Sequence, residues 1–199
     1  MIDRGPSSRT IRYTDSVLRS AMRQAIRWRL SAQDPTDGAQ LPRLQRREVC
    51  VLRAEQCRAF LEVSLKTYYG PVFALALTTG MRPSEYLALK WQDIDWDRGT
   101  ASVVRTLERA GVWRFAETQR ARSRRIVKLQ EWMLERLKGL QSRTIQRPGY
   151  DLPDAAERVF TTPGGRPIYS DKLAKRFKSI LCQAGLPIIR LYDLRHTWR

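Results

Sequence analysis

The sequence predicts an α+β fold that is mostly helical and carries a small three-stranded antiparallel sheet. Stretches with apolar residues at helical spacing take up most of the 199 residues, and three short runs rich in β-branched and aromatic residues follow one another near the middle. A hydrophobic fraction of 42% with 9% aromatic residues excludes a disordered basic tail, because such tails lack the residues that form a packed core.

The N-terminal part predicts one basic amphipathic helix and then a linker. Residues 7–30 begin with helix-capping serines, and one face of the helix would hold Val17, Ala21, Ala25 and Trp28. Several arginines, Arg23 and Arg27 among them, lie mostly elsewhere on the helix. Residues 31–49 contain two prolines, a glycine and many polar residues, which is typical of an interdomain linker. A single helix cannot bury its apolar face alone, so we expect this one to pack on another part of the chain or on a partner.

The rest of the chain predicts helices that precede and follow the strands in sequence, with the sheet on one edge of the helical body. The helical segments are "RAEQCRAFLEVSLKTYY", "GPVFALALTTG", "SEYLALKWQDID", "LQEWMLERLKGLQSRT" and "SDKLAKRFKSILCQAG". The last begins with Ser170 and Asp171 and is followed by Gly185, which are ordinary start and stop signals. The strands are "TASVVRTL", "VWRFAE" and "RRIVKL", joined by the turn "RAG" and the basic loop "TQRARS".

The charge of the chain predicts a polyanionic partner. Lys and Arg number 37 against 20 Asp and Glu, which gives a net charge of +17 spread over the whole chain. DNA, RNA and acidic membrane surfaces attract such a field, while a solvated basic surface is the alternative that needs no partner. RNA is the less favoured nucleic acid, because the chain has no aromatic RNP-like motif, no GXXG clamp between helices and no repeat.

Other classes of site are not expected. No apolar run approaches the length of a membrane span, and the first residues have no signal-peptide core, so a cytoplasmic protein without a membrane partner is predicted. The three cysteines are widely spaced without a CxxC pair, and His196 is the one histidine, so neither a metal site nor another cofactor is predicted.

The segment "TTGMRPSEYLAL", residues 78–89, predicts a junction between two helices. Gly80 suits the end of the first helix and Pro83 the first turn of the second. Glu85 suits the positive end of the second helix dipole, whereas Arg82 is a cation at an end that favours anions. A guanidinium group beside a helix N-terminus is an arrangement that can hold a phosphate.

Four segments in order resemble the catalytic domain of tyrosine recombinases, the phage integrase family. They are "TTGMRPSEYLALKWQDIDWDRGT", "WRFAETQRARSRRIVKL", "VFTTPGGRPI" and "LYDLRHT". The resemblance implies that residues 47–199 form a catalytic domain that is incomplete at its C-terminus. It also implies that residues 1–46 are the C-terminal remnant of a helical, SAM-like core-binding domain and its linker.

The resemblance implies a chemistry and a set of residues. Family members cut and rejoin duplex DNA at specific sites through a 3′-phosphotyrosine, without metal or ATP, and two arginines stabilise the charge on the scissile phosphate. By resemblance these arginines are Arg82 and Arg195, Glu85 supports the first of them, and Tyr192 replaces a histidine. The family's acidic lysine falls at Gln119, which cannot act as a general acid.

The resemblance also implies DNA contacts outside this set. The arginine run beside the hairpin would meet the DNA backbone, although a solvated loop is the alternative. The residues expected at DNA are Arg120, Arg122, Arg124 and Arg125, together with Arg23 and Arg27. His196 follows the second arginine and is expected to have a structural role.

Two functions stay open on the sequence. The chain contains seven tyrosines, and none matches the motif of the family's nucleophile, so we expect it not to cleave DNA by itself. It is either part of an active recombinase or a non-catalytic, DNA-binding remnant of a decayed integrase. The family acts as a homotetramer on DNA, an assembly that we do not expect this chain to form.

Overall fold

The computed structural model describes residues 5–44, 50–110, 112–117, 124–145 and 156–197. The chain divides into two compact units, Met1–Glu48 and Val49–Arg199. The sequence places the division between residues 46 and 47, and the identity of the first unit as a core-binding remnant stays a prediction. No helix within the described ranges is both long and apolar enough to cross a membrane.

The first unit consists of helix α1 (Ser8–Arg27) and the segment that follows it. Ser7 caps the helix by accepting the Thr10 backbone N–H at 3.2 Å. Arg19 ties the following segment to the helix, because its Nη2 donates to the Thr36 carbonyl oxygen at 2.8 Å. The predicted helix is therefore present. The segment that follows it in sequence folds back along the helix.

The apolar face predicted for α1 is uncovered among the described residues. None of the residues of α1 is buried. Val17, Leu18 and Trp28 are each about half exposed or more.

The second unit contains the remaining elements. Its described helices are α2 (Ala54–Ser64), α3 (Gly70–Thr79), α4 (Pro83–Tyr86), α5 (Glu131–Ile145), α6 (Ser170–Gln183) and α7 (Leu194–Thr197). Short 3-10 turns cover Trp91–Asp93 and Leu191–Asp193. The strands are β1 (Ile94–Asp95), β2 (Thr100–Val103), β3 (Arg105–Ala110), β4 (Val112–Glu117) and β5 (Arg125–Lys128). The other predicted helices of this unit are found, but the helix predicted over "SEYLALKWQDID" is replaced by the end of α4, the 3-10 turn Trp91–Asp93 and strand β1.

Helix α3 is the centre of the second unit. Its sequence is apolar on every side, as expected for a helix surrounded by protein, and it packs against α2, α4, α5 and α7. Phe73 of α3 meets Phe60 of α2 and Phe177 of α6, with ring centroids 5.7 Å from each. Rings at these distances gain more than their burial alone contributes. The site described below lies at the C-terminal end of this rigid helix.

The predicted three-stranded sheet is present, but its membership differs from the prediction. Strand β2 pairs with β1 on one side and with β5 on the other, while β3 and β4 form a separate two-stranded hairpin. The run "TASVVRTL" therefore breaks at Val104 into two strands. The break has a physical reason, because Arg105 donates to the buried carboxylate of Asp93 at 2.6 Å and directs the chain away from the sheet.

A local hydrogen-bonded box starts three of the short helical elements. In each, a basic residue precedes an acidic residue by three positions, and the buried carboxylate accepts the backbone N–H of the basic residue. The pairs are Arg82 with Glu85 at 2.7 Å, Lys90 with Asp93 at 2.9 Å, and Arg190 with Asp193 at 3.2 Å. In the first and third boxes the arginine side chain also binds the acid, whereas the Lys90 side chain pairs with Glu157.

The turn between α2 and α3 yields a stability prediction. A Cβ atom at Gly70 would lie 2.5 Å from the Ser64 carbonyl oxygen and 2.7 Å from the Leu65 Cα atom, both backbone atoms. We expect Gly70→Ala to lower the free energy of unfolding by about 1–3 kcal/mol through overpacking. Urea unfolding followed by tryptophan fluorescence measures the change.

The control is Gly139→Ala on α5, where a Cβ would meet nothing within 4 Å. We expect this variant to raise the free energy of unfolding by about 0.5–1 kcal/mol, because alanine restricts the unfolded chain. Equal effects of the two substitutions would contradict the close approach at Gly70.

Candidate active site

The site forms where α3 ends and α4 begins. Gly80 takes a left-handed conformation with φ of 60°, which ends α3 and reverses the chain. Arg82 is extended, with φ of −72° and ψ of 151°, and Pro83 then opens α4. The apolar side chains on both sides of this junction, Met81 and Leu87, are buried. Arg82 and Glu85 are thus held on a short helix fixed to the core at both ends.

The carboxylate of Glu85 is the group that the arginines of the site share as an acceptor. Its side chain is 1% exposed. Oε2 accepts the Arg82 backbone N–H at 2.7 Å, and Oε1 accepts Arg82 Nη1 at 2.8 Å. Arg125 of β5 binds both oxygens, with Nη1 at 3.0 Å from Oε1 and Nη2 at 2.8 Å from Oε2. Two guanidinium groups from separate elements therefore share one buried acid.

Arg195 of α7 completes the cluster. Its Nη1 donates to the Gly80 carbonyl oxygen at 2.9 Å and lies 4.0 Å from Glu85 Oε2. One carboxylate therefore faces three arginines, and two positive charges remain uncompensated within these four side chains. Arg82, Arg125 and Arg195 keep 42%, 30% and 31% of their side chains exposed, so a solute can reach this charge.

Tyr192 joins the cluster through Arg82. It lies just before α7, is about half exposed, and its ring centroid is 6.1 Å from that of His196. Hydrogen bonds from the Arg82 guanidinium group to Glu85 and to the Tyr192 side chain raise the pKa of Arg82 above its ordinary value. The structure thus brings together four of the residues predicted for the catalytic set, Arg82, Glu85, Tyr192 and Arg195, and adds Arg125, which was predicted as a DNA contact.

The protonation state of Glu85 follows from opposing influences. Burial alone would raise the pKa of Glu85, but hydrogen bonds from Arg125 and from the Arg82 backbone outweigh it, so the pKa lies below its ordinary value. Glu85 is therefore a permanent anion at neutral pH and a fixed acceptor for the arginines.

This arrangement can bind a phosphate. Arginine forks match the oxygens of a phosphate better than a lysine does, and groups held in place before binding need no reorganisation. A depression of about 420 Å³ lies beside the cluster, between α4 and α6, and its wall includes Arg82, Leu87, Leu107 and Tyr192. In the described part of the chain, no group of three or more His, Cys, Asp or Glu side chains could hold a metal ion.

Arg124, the neighbour of Arg125, pairs with a different acid. Arg124 is exposed, and its Nη2 lies 3.3 Å from Glu117 Oε2. Gln119, Arg120 and Arg122 lie outside the described residues.

Arg23 and Arg27 belong to the first unit, within which they line a cleft of about 590 Å³ together with Arg12 and Arg19. Arg12 and Arg19 hydrogen-bond to carbonyl oxygens of the segment after α1, whereas Arg23 and Arg27 are exposed. The cleft therefore carries a row of arginines along one helix.

Sequence reasoning missed the role of Arg125. It placed Arg125 among DNA contacts in a basic run, whereas the structure commits both terminal nitrogens to Glu85. A signal was present in β5, where Arg125 and Val127 are partly buried while Ile126 and Lys128 are exposed. Period-two alternation places Arg125 on the inner face, but the acid it meets lies 40 positions earlier and leaves no local trace.

Comparisons with known proteins agree with this fold. A family model described as the phage integrase family matches residues 50–199. A tyrosine recombinase XerC-like protein of Caldanaerobacter subterraneus is 26% identical over 219 residues, covering all of this chain and 56% of its own length. An integrase of Saccharopolyspora erythraea is 24% identical, covering 99% of this chain and 58% of its own length. The chain thus spans somewhat more than half the length of these relatives.

Solved structures share the predicted fold. The Tn1549 transposon integrase in complex with transposon right end DNA superposes with a TM-score of 0.83 at 18% identity, covering 98% of this chain and 67% of that one. A lambda integrase dimer bound to a core site gives a TM-score of 0.65 at 18% identity, covering 96% of this chain and 65% of that one. These similarities confirm the fold class predicted from the sequence.

The buried carboxylate of Glu85 yields a prediction about how the free energy of unfolding depends on pH. Because the folded pKa of Glu85 is depressed, its ionisation stabilises the fold above the unfolded pKa of about 4.3, and this contribution is lost as the pH falls toward the folded pKa. We expect Glu85→Gln to lower the free energy of unfolding by about 1–3 kcal/mol at pH 7, since it leaves the partly exposed Arg82 and Arg125 donors without their anion. The difference from the unsubstituted chain should be constant from pH 7 to about pH 5 and shrink below about pH 4.

Urea unfolding of both proteins between pH 3 and pH 7 measures this dependence. Glu135→Gln on the exposed surface of α5 is the matched control and should change the free energy by less than about 0.5 kcal/mol. A difference for Glu85→Gln that grows as the pH falls would contradict the depressed pKa.

Proposed function

We propose that this chain, which belongs to the phage integrase family, holds a phosphate of duplex DNA between Arg82 and Arg195. The observation that carries this proposal is the cluster of three arginines around the buried carboxylate of Glu85. The activity we assign to the complete protein is site-specific DNA recombination, by strand cleavage and rejoining through a 3′-phosphotyrosine.

The proposed roles follow from the geometry. Arg82 and Arg195 supply forked donors to the phosphate oxygens, on which negative charge increases during strand cleavage. Glu85 Oε1 holds the Arg82 side chain by accepting its Nη1 at 2.8 Å. The Gly80 carbonyl oxygen holds the Arg195 side chain by accepting its Nη1 at 2.9 Å. Tyr192 lines the same depression as Arg82, and its hydroxyl can donate to a phosphate oxygen, as the family's histidine does.

Duplex DNA is the proposed partner on three grounds. The net charge of +17 favours a polyanion. The site presents arginine forks, which bind phosphate oxygens in pairs. The Tn1549 and lambda integrase structures that share the fold contain DNA.

In the first unit, the exposed Arg23 and Arg27 would add contacts with the DNA backbone along α1. That the complete protein acts as a homotetramer on DNA, an assembly not expected of this chain, and that it is cytoplasmic stay predictions.

A second candidate function is DNA binding without cleavage. It is favoured by Gln119, since a glutamine at the position of the acidic lysine cannot protonate the leaving 5′ oxygen. A decayed integrase would keep the phosphate site and lose the covalent step.

Salt dependence of DNA binding tests the phosphate site. The logarithm of the binding constant for duplex DNA should fall linearly with the logarithm of salt concentration, with a slope of about 0.9 for each neutralised phosphate. Arg82 and Arg195 hold the same phosphate in this proposal. The double variant Arg82→Ala, Arg195→Ala should therefore lower the slope by about 0.9 rather than by twice that amount. Fluorescence anisotropy at several salt concentrations gives the slopes.

Arg98→Ala is the control, because Arg98 is 83% exposed and lies away from the cluster in sequence. A duplex RNA competitor should displace DNA poorly. A flat salt response, or equal slopes for the double variant and the unsubstituted chain, would rule out the proposed site.

A trapping experiment separates the two candidate functions. The chain is incubated with a pool of nicked duplexes of randomised sequence and examined for a covalent protein–DNA adduct on a denaturing gel. An adduct that disappears in Arg195→Ala supports recombinase chemistry in this chain. Salt-sensitive binding without an adduct supports the second candidate.

A further inference from the structure

We infer that Arg125 is a positioning residue, which holds Glu85 in the orientation that presents Arg82 to the phosphate. This inference deepens the proposed function and rests on it. It assigns Arg125 to the interior of the site rather than to the DNA-contacting surface, which is where the basic run around it would place it.

The contacts of Arg125 support an internal role. Its two terminal nitrogens both bind the Glu85 carboxylate, at 3.0 Å and 2.8 Å, in the parallel fork geometry that is the strongest arginine–carboxylate arrangement. The same two nitrogens would be needed to grip a phosphate. Arg82 uses one terminal nitrogen for Glu85 and keeps more of its side chain exposed, at 42% against 30%. Arg125 is therefore the clamp, and Arg82 is the residue that is held.

The position of Arg125 on the sheet makes the clamp rigid. It is the first residue of β5 and pairs with Val103 of β2, which is buried. Lys128 at the other end of β5 pairs with Thr100. Arg125 thus joins the three-stranded sheet to α4 through Glu85, and the orientation of the acid depends on both elements.

The groups around Glu85 show why its two hydrogen bonds from Arg125 matter. The acid faces Arg82 from the start of α4, Arg125 from β5 and Arg195 from α7, and Tyr192 lines the same depression as Arg82. Among the groups that lower the pKa of Glu85, the hydrogen bond from Arg125 is the strongest, and it acts against a burial that raises the pKa. Without Arg125 the buried acid would lose the partner that binds both of its oxygens, and its orientation toward Arg82 would no longer be fixed from β5.

A lysine cannot reproduce this clamp. It keeps the positive charge but presents one ammonium group, so it cannot bind both carboxylate oxygens in the plane of a fork. Arg125→Lys therefore separates charge from geometry. A DNA contact needs mainly the charge, whereas a positioning residue needs the fork.

Affinity for duplex DNA is measured for Arg82→Ala, Arg125→Lys and the double variant. A positioning role predicts that Arg125→Lys weakens binding by about as much as Arg82→Ala does, and that Arg82→Ala then causes less than about a twofold further loss. Arg98→Lys, at an exposed position, controls for exchanging any arginine and should stay within twofold. Binding by Arg125→Lys within twofold of the unsubstituted chain, with an undiminished effect of Arg82→Ala, would overturn the inference.

A stability cycle without DNA keeps the test independent of the proposed function. Urea unfolding at pH 7 gives the effect of Glu85→Gln in the unsubstituted chain and in an Arg125→Gln background. We expect Glu85→Gln to be destabilising in the first and neutral or stabilising in the second, because the acid without its clamp is a poorly compensated buried charge. An equal cost in both backgrounds would overturn the inference. Should Arg125→Gln not unfold cooperatively, the same cycle is run on Arg125→Lys, where the cost should still be smaller.

The two experiments distinguish the two levels of the proposal. If the unsubstituted chain does not bind duplex DNA, the proposed function fails, while the stability cycle still decides whether Arg125 holds Glu85. If DNA binds and the stability cycle shows no coupling, the phosphate site stands and the positioning role of Arg125 is wrong.

Discussion

Glu85 keeps a carboxylate almost entirely away from water, with 1% of its side chain exposed, and the surrounding site is organised around that constraint. Burying an ionised acid is costly unless every oxygen finds a charged or polar partner. The partners here come from α4 and β5, while Arg195 of α7 lies at 4.0 Å. One anion therefore fixes elements that are far apart in sequence and leaves a surplus of positive charge facing outward.

The fold provides the rigid frame that this cluster needs. Helix α3 is apolar on all sides and ends at Gly80, whose carbonyl oxygen then accepts Arg195 Nη1 at 2.9 Å. The box of Arg82 and Glu85 recurs at Lys90 with Asp93 and at Arg190 with Asp193, so the same local device starts each short helical element near the site. Local hydrogen bonding thus sets the acids, and the core sets the distances between the elements that carry them.

Part of this architecture was predictable from the sequence. Capping residues and apolar spacing located the helices, since those signals act within a few residues of each boundary. Resemblance to a family identified Arg82, Glu85 and Arg195. What was not predictable depends on contacts between distant residues. The strand break at Val104 follows from the pairing of Arg105 with Asp93, and the role of Arg125 follows from an acid on another element.

The most direct test of the phosphate site is NMR of the arginine side chains. In a ¹⁵N-labelled chain, the Nε–Hε resonances of Arg82 and Arg195 are assigned from the spectra of Arg82→Lys and Arg195→Lys. Duplex DNA is then titrated at moderate salt. Both resonances should shift together and saturate, while that of Arg98 stays in place. Saturable DNA binding that leaves the Arg82 and Arg195 resonances unmoved would show that the cluster does not hold a DNA phosphate.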